Sequence, residues 1–122
     1  MVKVLIVDDD DGIRYILREL LVEEGFQVCT ASNGAEALEF LQRESQCIIL
    51  LDMRMPGMDG RAVLQELEKN PRLKRKARVA LMSAGWGLTQ PRPEPRPEMV
   101  QAILEKPFEL DTVVQVVSKL AS

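Results

Sequence analysis

The chain contains no histidine. That absence excludes triads, acid–base chemistry and metal sites built on imidazole, and the chain cannot itself carry a phosphohistidine. Cysteine is scarce, with only Cys29 and Cys47. Two cysteines without metal-ligand spacing make neither a disulfide framework nor a zinc site, so each is expected to be a buried apolar thiol. No apolar run approaches the roughly 18 residues that a membrane span requires. The opening stretch Met1-Val2-Lys3-Val4-Leu5-Ile6-Val7-Asp8 runs into acids rather than small residues. That is not the layout of a secretory leader, and the expected location is the cytoplasm. Charge of one sign is not in large excess either: a net charge of −3 leaves no electrostatic footprint for nucleic acid. Neither nucleic acid nor a membrane is expected as a partner.

What is present is an ordinary globular composition. The 122 residues are 46% hydrophobic and 29% charged, which fits one domain over 1–122 with a core of its own. Two kinds of segment alternate along it. Val2 to Val7 is a short apolar run ending in acids, the pattern of a strand buried on both faces. Ile13, Ile16, Leu17, Leu20 and Leu21 recur at helical spacing, and Gly25 ends that helix. Phe26 to Thr30 reads as a second strand, and Asn33 with Glu36 as a capping box opening a helix through Leu38 and Leu41. Cys47 to Leu51 is another buried strand, ending at Asp52. Pro56-Gly57 marks a turn, and Asp59 caps a helix carrying Val63, Leu64 and Leu67 that stops near Asn70-Pro71. Val79 to Met82 and Ala102 to Leu104 read as the fourth and fifth strands. Leu110, Val113, Val114, Val117 and Leu120 form the stripe of a last helix. Between Ser83 and Ala102 a helix is due, yet Pro91, Pro93, Pro95 and Pro97 fall at alternate positions. No helix runs through four prolines, so an extended or irregular segment over 90–98 is expected to stand in its place.

Strands alternating with helices imply a parallel sheet with right-handed crossovers and helices on both faces. Such sheets carry their working groups just past the carboxyl ends of the strands. Here those positions are Asp8 and Asp9, then Asp52, then Ser83, then Lys106. Three carboxylates meeting in one pocket repel one another and raise one another's pKa. A hard divalent cation such as Mg²⁺ removes the conflict, its shell completed by water and phosphate. It also screens an incoming phosphoryl group from the nucleophile's own charge. A lysine at a neighbouring strand end offers a compact positive charge to phosphoryl oxygens, and a serine hydroxyl offers a further donor.

At these residues the chain resembles response-regulator receiver domains. The motifs, in order, are Val7-Asp8-Asp9, Leu51-Asp52-Met53-Arg54-Met55-Pro56-Gly57-Met58-Asp59-Gly60, Ser83-Ala84 and Lys106-Pro107-Phe108. The likeness runs along essentially the whole chain apart from 86–101. It implies a flavodoxin-like, doubly wound α/β fold with a five-stranded parallel sheet in the order 2-1-3-4-5. It implies two-component signalling, in which Asp52 takes a phosphoryl group from a sensor histidine kinase or a histidine phosphotransfer protein and partner binding switches. Mg²⁺ or Mn²⁺ would be held by the carboxylates of Asp9 and Asp52, by the main-chain carbonyl of Arg54, and by Asp8 mostly through water. Ser83 would be the switch hydroxyl with Ala84 its small neighbour, Lys106 would contact the phosphoryl oxygens, and Pro107 resembles the cis-proline that aims it. By the same resemblance the chain promotes its own phosphorylation and slow dephosphorylation but turns over no separate substrate. Gly12-Ile13-Arg14 resembles the face on which the phosphoryl donor docks, and Val7 to Arg14 is similar to the single-domain regulators of sporulation phosphorelays. The chain ends soon after its last helix, so no output domain is expected on it.

Two departures bear on output. Ile103 stands where relatives carry an aromatic switch residue, and prolines fill the place of the fourth helix. Both speak against ordinary phosphorylation-driven dimerisation and leave the phosphorylation chemistry intact. A phosphorylation-independent adaptor therefore stays open as an alternative. A haloacid-dehalogenase-type phosphatase, suggested by Asp9-Asp10-Asp11-Gly12, needs more chain and leaves the motif around Asp52 unexplained. A flavin carrier of the same architecture lacks the phosphate-cradling loop. Asp10 and Asp11 read as cap and surface. The cations Lys69, Arg72, Lys74, Arg75, Lys76 and Arg78 read as an exposed loop entering the fourth strand, and Met53, Met55 and Met58 as packing. Trp86 either covers the pocket or meets a partner.

Overall fold

A computed structural model describes residues 2–84 and 98–122. In chain order the elements are β1 (Lys3–Val7), α1 (Asp11–Glu23), β2 (Val28–Ala31), α2 (Gly34–Arg43), β3 (Cys47–Asp52), α3 (Gly60–Lys69), α4 (Pro71–Lys76), β4 (Ala77–Ala84), β5 (Val100–Lys106) and α5 (Leu110–Ala121). The strands form one parallel sheet in the order β2-β1-β3-β4-β5. The expected architecture is therefore the observed one. Among the described residues no helix is long and apolar enough to cross a membrane. The proline segment 90–98, apart from Glu98, and Trp86 lie outside the described residues.

The central strand explains why the sheet reads so plainly in sequence. All six residues of β3 are buried. Cys47, Ile49 and Leu51 pack into a core layer with Ala37 and Leu41 of α2 and Val63, Leu64 and Leu67 of α3. Ile48 and Leu50 point the other way, into a second layer with Leu17 and Leu21 of α1 and Val113, Val117 and Leu120 of α5. Successive side chains on a strand alternate between faces, so a strand covered on both sides must be apolar throughout.

Local differences from the sequence expectation have physical causes. The segment expected to be an exposed loop entering the fourth strand is helical: α4 has Pro71 in its first turn and Asn70 as its cap. The Asn70 side chain accepts from the amides of Arg72 at 3.1 Å and Leu73 at 3.3 Å. Leu73 is buried, tying this basic turn to the α2–α3 layer. In α1, Ile16 belongs to the apolar repeat but is 52% exposed beside Tyr15 at 61%, and Leu110 at the start of α5 is 44% exposed. The second strand begins at Val28 rather than Phe26, while Phe26 packs partly into the α1–α5 layer. At the start of α2, Asn33 accepts from the Glu36 amide at 2.9 Å. The Glu36 carboxylate does not close a box on the cap residue: it takes the Ser32 amide at 2.8 Å and the Ser32 hydroxyl, which lowers its pKa.

Candidate functional site

The register sets the site. Val7 is level with Leu51, Asp52 with Met82, and Ala84 with Lys106. The carboxyl ends of β1, β3, β4 and β5 therefore finish on one edge of the sheet, where Asp8, Asp52 and Ser83 are all buried. Lys106 lies 3.1 Å by its Nζ from Asp8 Oδ2 and 3.5 Å from Asp52 Oδ1. Asp9 is exposed, yet one carboxylate oxygen from each of Asp8, Asp9 and Asp52 lies within 4.8 Å of the others. The peptide bond from Lys106 to Pro107 is cis.

Each group is held from its own element. The Asp8 amide donates to the Ala31 carbonyl at 3.2 Å, and Asp8 Oδ1 accepts from the Asp10 amide at 2.9 Å. Asp10 also caps α1 by accepting from Ile13 N at 3.1 Å. Asp10 and Asp11 are thus absorbed by the start of the helix, as a cap and a first-turn acid. Asp52 Oδ1 accepts from the Arg54 amide at 3.3 Å, and the next residue, Met53, donates to the Met82 carbonyl at 3.0 Å. Met55 is buried in the α2–α3 layer, with Met53 and Met58 packed partly against it. Ile103, level with Leu81, packs partly against the same layer.

Two residues matter more than the sequence alone indicates. Gly60 opens α3 directly against the end of β3: a Cβ there would sit 2.5 Å from the Asp52 carbonyl oxygen and 2.9 Å from Met53 Cα. Only a missing side chain lets the helix come this close. Arg14, expected on a docking face, turns inward, and its Nη1 donates to the Asp8 carbonyl at 2.6 Å while Nη2 pairs with Asp11. The signal is present as spacing. A residue one turn into a helix whose cap follows the strand end by three positions faces back toward that end.

The electrostatics favour a bound cation. Asp52 is pushed up from 3.8 to about 6, chiefly by burial and then by the Asp8 charge, with Lys106 and the Arg54 amide opposing. One ammonium serves two buried carboxylates, and the exposed Asp9 adds a third. The donors are all hard oxygens, the set that suits Mg²⁺ rather than a soft metal. One oxygen from each acid lies within 4.8 Å of the others, near enough for these carboxylates to share a single ion. The residues present fit the group.

A protein-family model for the response regulator receiver domain matches residues 4–118. The chain is 36% identical over 117 residues to sporulation initiation phosphotransferase F of Bacillus subtilis, covering 96% of this chain and 91% of that protein. It is also 36% identical over 120 residues to the DNA-binding transcriptional regulator NtrC of Escherichia coli, covering 98% of this chain but 24% of the regulator. Among solved structures, response regulator TrrA of Thermotoga maritima in complex with Mg²⁺-BeF matches with a TM-score of 0.74 at 32% identity, covering 98% of this chain and 99% of that one. TrrA in complex with histidine kinase ThkA matches at 0.79 and 33%, over the whole of both chains.

Proposed function

This chain belongs to the response-regulator receiver domain family, and from that premise we propose that Asp52 takes the phosphoryl group with a divalent cation bound beside it. The chain is the receiver of a two-component response regulator, a family defined by signalling rather than by substrate turnover. The carrying observation is Lys106 Nζ at 3.1 and 3.5 Å from the carboxylates of Asp8 and Asp52. Three chain segments far apart in sequence bring two buried acids and one cation to a single point.

In the proposed reaction an Asp52 oxygen attacks the phosphorus of a phosphohistidine on the donor. The P–N bond breaks, the imidazole leaves with the electron pair, and an aspartyl phosphate remains. Asp9, Asp52 and the Arg54 carbonyl would hold Mg²⁺ or Mn²⁺, with Asp8 acting mostly through water, and the ion would supply charge neutralisation. Lys106 trades its Asp52 contact for a phosphoryl oxygen while Asp8 still anchors it. Ser83, near the end of β4, donates its hydroxyl to another phosphoryl oxygen. The chain thus promotes its own phosphorylation, and attack of water on the acyl phosphate slowly reverses it. The histidine kinase or phosphotransfer protein docks on α1 around Ile13 and Arg14, where Tyr15 and Ile16 stand open to it, and the phosphorylated chain acts on a downstream protein in the cytoplasm.

The test is incubation with Mg²⁺ and a small-molecule acyl phosphate, followed by mass spectrometry of the intact chain. A labile phosphoryl adduct is expected, dependent on Mg²⁺ and lost in Asp52→Asn. No adduct on the unaltered chain, or an adduct that survives the substitution, overturns the proposal.

A further inference from the structure

The Asp9 carboxylate is exposed, and among the described residues no donor holds it. Its place in the acid cluster is set by its backbone. A peptide unit is a rigid plane, so the direction in which Asp9 leaves the chain is coupled to the plane it shares with the Asp8 carbonyl. That carbonyl accepts from Arg14 Nη1 at 2.6 Å. Apart from Lys106 Nζ, which donates to Asp8 Oδ2 at 3.1 Å from outside the helix, the other bonds shaping this turn come from backbone amides: Asp10 N to Asp8 Oδ1 at 2.9 Å, Ile13 N to Asp10 Oδ1 at 3.1 Å, Arg14 N to Asp10 O at 3.1 Å and Asp8 N to Ala31 O at 3.2 Å. Arg14 alone among the described residues reaches into the turn with a side chain from the body of α1. Its Nη2 pairs with Asp11, which is exposed, while the Arg14 side chain itself is only 18% exposed, so the Asp8 carbonyl is the inner anchor of the planar guanidinium.

We propose that Arg14 is a positioning residue for divalent-cation binding: through the Asp8 carbonyl it fixes the peptide plane between Asp8 and Asp9, and so delivers the Asp9 carboxylate to Asp8 and Asp52. This rests on the metal-site reading above and deepens it. The role has a sign that separates it from simple charge. A guanidinium beside three acids repels an arriving cation, so on charge alone its removal tightens Mg²⁺ binding. As a positioning group, its removal weakens binding.

The experiment is calorimetric titration of the full chain with Mg²⁺ alone, for the unaltered protein, Arg14→Ala, Arg14→Lys, Asp9→Asn and the Asp9→Asn/Arg14→Ala pair. Arg14→Ala is expected to weaken binding about ten- to a hundredfold, the usual cost of losing a group that orients a ligand. Arg14→Lys, which keeps the charge without the fork, recovers part of that. In the Asp9→Asn background the Arg14→Ala change moves the affinity less than about twofold, because the carboxylate it delivers is gone. Where binding is too weak for calorimetry, the Mg²⁺-dependent rise in urea midpoint reports the same affinity. Unchanged or tighter binding by Arg14→Ala overturns the inference, as does a full loss repeated in the Asp9→Asn background. Should Arg14→Ala not fold, Arg14→Lys in the two backgrounds carries the same comparison. Failure of the unaltered chain to bind Mg²⁺ refutes the metal site itself, and the inference with it.

Discussion

Replacing Asp52 by asparagine is expected to stabilise the metal-free chain at neutral pH. Asp52 is 6% exposed, and burial together with the Asp8 charge lifts its pKa from 3.8 to about 6. The folded state therefore binds this proton more tightly than the unfolded state does. Stability from the protonated form is fully present below pH 3.8 and is lost as the pH rises through about 6, after which the ionised carboxylate carries its whole cost. Each tenfold gain in proton affinity is worth about 1.4 kcal/mol, so the rise from 3.8 to about 6 sets an upper limit of about 3 kcal/mol. Solvent screening at the exposed edge of the acid cluster, where Asp9 lies open, reduces this to about 1 to 3 kcal/mol. Asparagine keeps the shape, sheds the charge, and leaves Lys106 its contact with Asp8. Urea unfolding in EDTA should find Asp52→Asn more stable by that amount at pH 7.5, with the gap shrinking as the pH falls toward 4. Saturating Mg²⁺ should close the gap, since a ligand at about 100 times its Kd adds about 2.7 kcal/mol to the chain that binds it. A variant less stable than the parent in EDTA at pH 7.5, or a gap that ignores pH, refutes the account of the site as an acid cluster awaiting a cation.

Three further outcomes follow from the same geometry. Lys106→Met leaves Asp8 and Asp52 facing each other without their shared cation, and should cost about 1–3 kcal/mol in EDTA at neutral pH while slowing phosphorylation by a small acyl phosphate; urea melts and the rate of adduct formation check both. Gly60→Ala forces a Cβ to within 2.5 Å of the Asp52 carbonyl oxygen, so α3 must shift; a loss of about 1–3 kcal/mol is expected, and a urea midpoint equal to the parent's would show that the helix start yields freely. In α4, Leu73→Ala should cost about 2–4 kcal/mol because that side chain is buried, whereas Arg75→Ala should lie within about 0.5 kcal/mol of the parent; thermal unfolding of the two side by side tests whether this turn is anchored by its leucine.

Where the sequence is legible, packing leaves it little freedom. β3 must be apolar from Cys47 to Leu51 because both its faces are covered, and that continuous run ending at Asp52 identifies the strand and its working end together. Asp8, Asp9, Asp52 and Lys106 can be read as neighbours because parallel strands with covered faces finish their connections on one edge. Short or marginal elements are less legible. α4 has six residues and one buried apolar anchor, too few to show a helical period, so its cap and Pro71 read as a helix stop rather than also a start. Ile16 and Leu110 match the helical repeat, but each lies at the margin of its stripe, where periodicity does not decide burial. For Arg14 the spacing gives a direction but not a partner, because a contact to a main-chain carbonyl leaves no trace in the partner's identity.

The sheet divides the apolar interior into two compartments, one beneath α2 and α3, the other beneath α1 and α5. Asp52 continues through Met53 into Met55 on the first side, and Lys106 continues into Phe108, which packs on the second. The salt link between Asp52 and Lys106 thus joins two chain segments that settle in separate rooms. Any group that parts this pair therefore acts on two chain segments anchored in different rooms.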